Sequence, residues 1–511
     1  MKGSARLSLK RASGYLWAVV AAAILSLAAY KTFVHWHLDL PVGCDEFGYL
    51  YLARGISQGN PFVSPTARPF DPGLIEALKE STFPIKAYMH VICPHAYHLD
   101  PGRFKIINQY PPGTPLLLSL LPRDSAKALT PPVFAVFILL FLLLAFGLAE
   151  GRLTVFEVGL AVVVTAMLLA LNPFRSSFFQ VNSITPTFGL LIGAGFLLNR
   201  KPHLSLLLLS LTTVFRIVNV LLLVPFLIMY LWHRKPDRVF SKDMVLRAVK
   251  GASLCVAGGL WIYIAYAWIL LGNPLRSTYS FLDQALTLSG APANAAFYFS
   301  FRQPWFVWQV ALLVLIAILS WIWKWPRRWV VFSAALIAVN SIFFVFHKVR
   351  IDYYPYAAVL ILFGLALWPA AQKIKETRFV RLVPAAGLVV LLAAVVFLAP
   401  GFPRQDYRRL FHEQTQPYAD CFSSYDVVWA ELRSGTLEYA TGKAGFRYTW
   451  GSDRMRKAVM DWLKAHKYRQ ALWVSDLKMS RESLEQTLTR FRLDYSVKQC
   501  PGLGTIIEIN P

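Results

Sequence analysis

The chain has 511 residues, of which 56% are hydrophobic and 16% charged, with a mean hydropathy of +0.46. Soluble globular domains carry about 25% charged residues, so a soluble enzyme is excluded. The 52 Lys+Arg against 28 Asp+Glu give a formal charge of +24, but the basic residues fall in short clusters between long apolar runs. That is the positive-inside pattern of a polytopic membrane protein and not the footprint of a nucleic-acid binder.

The first apolar run, 15–33, follows Lys2, Arg6, Lys10 and Arg11 and has no small-residue cleavage site behind it, which predicts an uncleaved signal-anchor helix with a cytoplasmic N-terminus. Residues 35–130 are mixed and rich in Pro, Gly and aromatics, with no run long enough for ~30 Å of hydrocarbon. They are expected to form a large first extracytoplasmic loop. Further spans are predicted at 131–149, 153–171, 183–198, 251–271, 305–323, 329–346, 357–371 and 382–399.

Residues 204–232 are ambiguous. One helix of that length would reach ~43 Å with Arg216 and Asn219 at mid-depth, whereas two short helices would meet at that polar pair, at a surface or beside a cavity. Loop charge favours two. Only then do Arg200/Lys201, the 234–250 cluster, Lys324/Arg327/Arg328 and the 373–381 cluster all face the cytoplasm. The expected fold class is therefore an α-helical polytopic membrane protein of about eleven crossings over 1–400, with a small extracytoplasmic α/β domain over 401–511. Within the latter, 461–466 and 480–491 read as helical and 471–474 and 505–509 as strands.

The chain has five cysteines, and no CxxC or Cys/His spacing suggests a structural zinc site. Cys421 and Cys500 flank most of the C-terminal domain, where an outer-side disulfide could form, and Cys44 with Cys93 could pair similarly in the first loop. Cys255 lies in an apolar span and reads as an inert thiol. His90, His95 and His98, near Cys93 and Asp100, fit no fixed metal motif and are expected to be solvated or hydrogen-bonded.

Chemistry is suggested just after the first span, by Asp45-Glu46 in Pro41-Val42-Gly43-Cys44-Asp45-Glu46-Phe47-Gly48-Tyr49. An acidic pair favours the first turn of a helix, but a carboxylate at the membrane surface is also a candidate general base or metal holder. With the later Gln109-Tyr110-Pro111-Pro112-Gly113-Thr114-Pro115 segment and the soluble C-terminal domain, the chain resembles the polyprenyl-phosphate-dependent GT-C glycosyltransferases. These include the protein O-mannosyltransferases and the lipid A aminoarabinose transferase. The resemblance implies an inverting sugar transfer from a polyprenyl-phosphate donor, with Asp45 deprotonating the acceptor and Glu46 assisting or orienting it. Phe47, Tyr49, Tyr51 and Tyr110 would wall the sugar site. Members differ in metal dependence, so a divalent ion stays open as a cofactor and its ligands are unassigned.

Such a reaction needs cations for the phosphate leaving group. Arg216 is one candidate; the alternative is an Arg that snorkels to the interface. Lys348 and Arg350, in His347-Lys348-Val349-Arg350-Ile351-Asp352-Tyr353-Tyr354-Pro355-Tyr356, break the positive-inside trend on the predicted outer side. A similar Arg-x-x-Tyr-Tyr-x-Pro element occurs in the GT-C group, so Tyr353 and Tyr354 join the substrate-binding set; the alternative is an aromatic belt with flanking anchors. Arg276 is a weaker candidate. The expected partners are the lipid-linked donor, an extracytoplasmic lipid, glycan or protein acceptor, and the bilayer, with no nucleic acid. The expected location is a bacterial inner membrane. A transporter or flippase for a lipid-linked saccharide is the alternative, although it would call for internal repeats and deep charges that the sequence does not display.

Overall fold

A computed structural model describes residues 2–41, 43–59, 71–80, 90–100, 105–172, 174–232, 242–274, 288–347, 355–398, 406–477 and 479–510. Seven helices among them are long and apolar enough to cross a membrane: Ser13–His37, Thr130–Glu150, Lys242–Leu271, Pro304–Ile322, Arg328–Phe346, Tyr356–Lys375 and Arg378–Leu398. Four shorter apolar helices, Val155–Ala170, Thr185–Leu197, Pro202–Phe215 and Ile217–Trp232, complete the set. The eleven correspond one for one to the expected spans, so the chain is a polytopic helical membrane protein.

The centre of the bundle is the helix Phe188–Leu197, whose ten residues are all buried. A helix apolar all round belongs inside. It crosses Tyr356–Lys375 through reciprocal small residues: a Cβ on Gly195 would collide with the Ile361 carbonyl, and one on Gly364 with the Ile192 carbonyl. Such close backbone approach is how helices gain packing where no hydrophobic driving force separates them from lipid.

The ambiguous segment is broken at Arg216, whose backbone is extended at φ −147°, ψ 103°. The preceding turn is weakened by hydroxyls that compete for its carbonyls, with Thr212 donating to Leu209 O at 2.6 Å and Thr213 to Ser210 O at 2.7 Å. A 3₁₀ segment, Ile217–Leu222, then leads into Leu223–Trp232, and Pro225 is tolerated there because its first-turn position needs no intrahelical donor.

Contacts sort the loops between two ends of the bundle. At one end Gly14 packs against the Leu153 backbone, Lys375 bonds Glu150 at 3.2 Å and Glu157 at 2.7 Å, and Arg200 lies 5.7 Å from the Trp368 ring. At the other, Lys31 reaches the Phe397 carbonyl, Tyr30 meets Tyr407, and Gly113 abuts Val214 and Phe215. The break at Arg216 is therefore a turn at the second end. Leu223–Trp232 returns toward the first, where Tyr230 and Leu227 crowd Gly251.

The first loop contains the helices Gly43–Ser57, Asp71–Glu80 and Gly113–Leu118. It also holds an antiparallel hairpin of β1 (Tyr97–Asp100) and β2 (Lys105–Asn108). After Leu398 the composition turns polar and an α/β region follows. Its strands are β3 (Val427–Ala430), β4 (Ala444–Arg447), β5 (Gln470–Trp473), β6 (Tyr495–Cys500) and β7 (Gly504–Ile509), ordered β4-β3-β5-β7-β6. β3 runs parallel to β4 and β5, and β7 antiparallel to β5 and β6. Buried Trp429 and Trp473 satisfy their indole N–H groups on Gln470 Oε1 and Leu503 O.

The expected Cys421–Cys500 disulfide is present and ties the helix Tyr407–Phe422 to the last residue of β6. The Cys44–Cys93 disulfide is not: neither cysteine is in a disulfide. Cys44 in a first helical turn donates to Asp45 at 3.3 Å, while the fully buried Cys93 lies in a loop held by Arg447.

Candidate active site

The helix Gly43–Ser57 opens at a positive-φ glycine, Gly43, and carries Asp45 and Glu46 in its first turn, where free N–H groups favour negative charge. Their fates differ. Asp45 is half-buried and its Oδ1 accepts the Tyr110 hydroxyl at 2.5 Å and the Cys44 thiol. Burial, helped by the Asp45 charge, pushes the Cys44 thiol up to about 12, so it stays a donor. Glu46 is only 6% exposed. It pairs with Lys127 at 2.9 Å and accepts the Val181 N–H at 3.3 Å. A buried carboxylate needs such a partner, and both contacts seat the start of the helix.

Tyr110 is fixed on all sides. Its ring lies 4.5 Å from that of Tyr49, its N–H donates to Asn108 Oδ1 at 2.8 Å, and its carbonyl accepts from Tyr266 at 3.2 Å. Asn108 also donates to Gly48 O at 2.9 Å. Gly48 has no alternative, since a Cβ there would strike the Tyr110 ring. Three residues on, Gly113 is pressed against Val214 O and the Phe215 ring, each 2.8 Å from where a Cβ would sit. The Tyr-Pro-Pro-Gly segment thus touches Asp45 at its first residue and the Arg216 break at its last.

Arg216 lies 6.0 Å from the Tyr356 ring, whose hydroxyl meets Thr187 at 3.0 Å. Lys348, Arg350, Tyr353 and Tyr354 lie outside the described residues, as does Arg276. The flanking residues are placed: Asn294 holds the Val345 and His347 carbonyls, each at 2.8 Å, and Gln309 donates to Pro355 O at 3.3 Å.

The aromatics divide differently from the expectation. Phe47 is fully buried, and a Cβ on Gly435 would run into its ring; Tyr49 and Tyr51 are buried as well. They form the packing under the helix and do not wall an open cavity. Among the described residues no three of His, Cys, Asp and Glu are grouped to hold a metal. His95 donates its backbone N–H to Ser434 Oγ at 3.1 Å, and His90 and His98 face each other at 6.0 Å.

The α/β region bears directly on this site. Buried Arg447 donates Nε to His90 O at 2.8 Å and Cys93 O at 3.2 Å, and Nη2 to Tyr97 O at 3.0 Å. Thr436 donates to Pro41 O. Arg447, Lys127 and Tyr266 carry no motif, and no local pattern in the sequence marks them.

A crystal structure of ArnT from Cupriavidus metallidurans bound to undecaprenyl phosphate is similar to this chain. The likeness covers 97% of this chain and 98% of that one, at 13% identity and a TM-score of 0.48. No protein-family model matches the sequence, and no curated protein does.

Proposed function

We propose that the chain is an integral-membrane glycosyltransferase of GT-C type that moves a sugar from a polyprenyl-phosphate donor to an acceptor hydroxyl or amine. The observation that carries this reading is the Asp45–Tyr110 hydrogen bond on a segment whose other end abuts the Arg216 break. A base and a cation flank one short stretch, as transfer from a phosphate requires.

In the step, the acceptor oxygen or nitrogen attacks the anomeric carbon and inverts it, and its proton passes to Asp45. The bond from that carbon to the phosphate oxygen breaks, and polyprenyl phosphate leaves with the electron pair. Tyr110 orients Asp45 by occupying Oδ1, Glu46 orients the helix, and Tyr49 backs Tyr110. Arg216, with Lys348, Arg350, Tyr353 and Tyr354, would hold the leaving phosphate. The chain would sit in a bacterial inner membrane, with a cytoplasmic N-terminus and the 401–511 domain outside.

The test is Asp45→Asn in full-length protein in nanodiscs, given a labelled polyprenyl-phosphate sugar. Asn keeps an acceptor for Tyr110 but cannot take the proton, and transfer should fall by about 100-fold or more at an unchanged melting temperature. Wild-type turnover by a folded Asn variant would sink the proposal.

A further inference from the structure

A groove of about 190 Å³ opens on the side of the bundle, between the first span, the helix Val155–Ala170 and the last span, Arg378–Leu398. An apolar cavity of about 150 Å³ binds benzene, so this one has room for a run of methylenes. Its walls include Trp17, Val155, Val162, Pro384, Leu388 and Leu391, and none of its lining residues is charged. At its floor two backbones touch, because a Cβ on Gly387 would lie 2.8 Å from Gly159 Cα. Trp17, Val155 and Leu388 are exposed, so the mouth faces sideways, into lipid. From Val155 to Val162 the groove runs about 10 Å along the helix axis.

One end of it is charged. The groove starts at the end of the bundle where Gly14 packs against the Leu153 backbone. Arg152 precedes Val155 by three residues and Arg381 precedes Pro384 by three, so each side chain leaves the backbone within about one turn of the wall. Both are exposed, as is Arg378. The carboxylates of the same turns are already taken: Lys375 bonds Glu150 and Glu157, and Lys373 bonds Glu376 at 2.7 Å. Among the described residues the three arginines enter no ion pair, which leaves them free for an anion from outside the chain. Basic groups beside a gap between membrane helices recognise anionic lipid headgroups.

The last span gains most from such a ligand. Only 11% of its apolar window is buried in the protein, and a lipid seated in the groove would bridge it to the first span and to Val155–Ala170.

We infer that the groove binds an anionic phospholipid of the bilayer, with one acyl chain against Trp17 and Leu388 and the phosphate on Arg152 and Arg381. A partner helix, roughly 10–12 Å across with its side chains, is too wide for it. The donor is a different lipid, since its phosphate belongs at the opposite end of the bundle, by Asp45 and Arg216. Binding here does not depend on the transferase reading.

The test uses full-length protein, delipidated in detergent and mixed with dioleoyl-phosphatidylglycerol or dioleoyl-phosphatidylcholine. Retained lipid is read by native mass spectrometry, beside a thermal melt. The wild type should hold phosphatidylglycerol more tightly by about fivefold or more and melt higher with it. Arg152→Gln and Arg381→Gln should each weaken its binding about fivefold, the worth of one basic side chain against anionic lipid. Ala385→Phe keeps every charge and fills the groove from an exposed position on its wall, and should weaken binding as much. Lys324→Gln with Arg327→Gln removes two exposed cations of another loop and should leave binding unchanged.

Equal retention of the two lipids, full binding by folded Ala385→Phe, or the same loss in the Lys324/Arg327 variant would overturn the inference. Displacement of phosphatidylglycerol by equimolar undecaprenyl phosphate would overturn it as well, and give the groove to a prenyl chain.

Discussion

Tyr110 holds Asp45 with its hydroxyl, Asn108 with its N–H and Tyr266 with its carbonyl. A hydrogen bond to a charged group contributes about 1.5–3 kcal/mol, here spent on orientation more than on stability. Tyr110→Phe is therefore expected to lower kcat about tenfold while the melting temperature stays put, measured by steady-state transfer beside a thermal melt. An unchanged kcat would detach Tyr110 from the chemistry. His95 makes a separate expectation. Burial, and then the charge of Arg447, push it down to about 4 from 6.5. The unfolded chain takes up that proton first as pH falls, so the stabilisation is complete above pH 6.5 and is lost between there and pH 4. It amounts to about 3 kcal/mol at most. Melting temperatures measured from pH 8 to 4 should fall less steeply in His95→Gln than in the wild type.

Among elements, the apolar helices were readable from hydrophobic run length alone, because lipid demands ~20 apolar residues of any straight span. The exceptions are instructive. The helix expected to begin at Gly251 begins at Lys242 and passes through a π-helical stretch at Val256–Leu260, where Gly258 and Gly259 meet the backbone around Leu207 and Leu211. Hydropathy does not register close packing of that kind. In the C-terminal region, four short elements were legible from periodicity, whereas β3, β4 and β6 and the strand order depend on distant partners. The disulfide closing this region spans 79 residues, and a loop of that length confers about 4 kcal/mol by chain entropy. Cys421→Ser should lower the melting temperature of the C-terminal region under non-reducing conditions, and dithiothreitol should do the same to the wild type. Insensitivity to both would show the bond to be dispensable.

For the whole molecule, the basic clusters and the bundle contacts agree on one arrangement. Arg200, Lys375 and the 151–154 turn share an end, opposite the helix of Asp45 and the Arg216 break. With the N-terminus cytoplasmic, a cysteine introduced at exposed Ala465 should react with an impermeant maleimide in intact cells, and one at exposed Arg152 only in inside-out vesicles. The reverse pattern would invert the proposed orientation. The class of protein, the eleven apolar segments and the prominence of Asp45 could be read from the sequence, because bilayer thickness and charge asymmetry act on local composition. What the sequence left open was decided by contacts between distant residues. These joined Glu46 to Lys127, kept Cys44 and Cys93 out of a shared disulfide and brought Arg447 onto the first loop. Each depends on which surfaces meet once the chain is packed, and no local pattern encodes that.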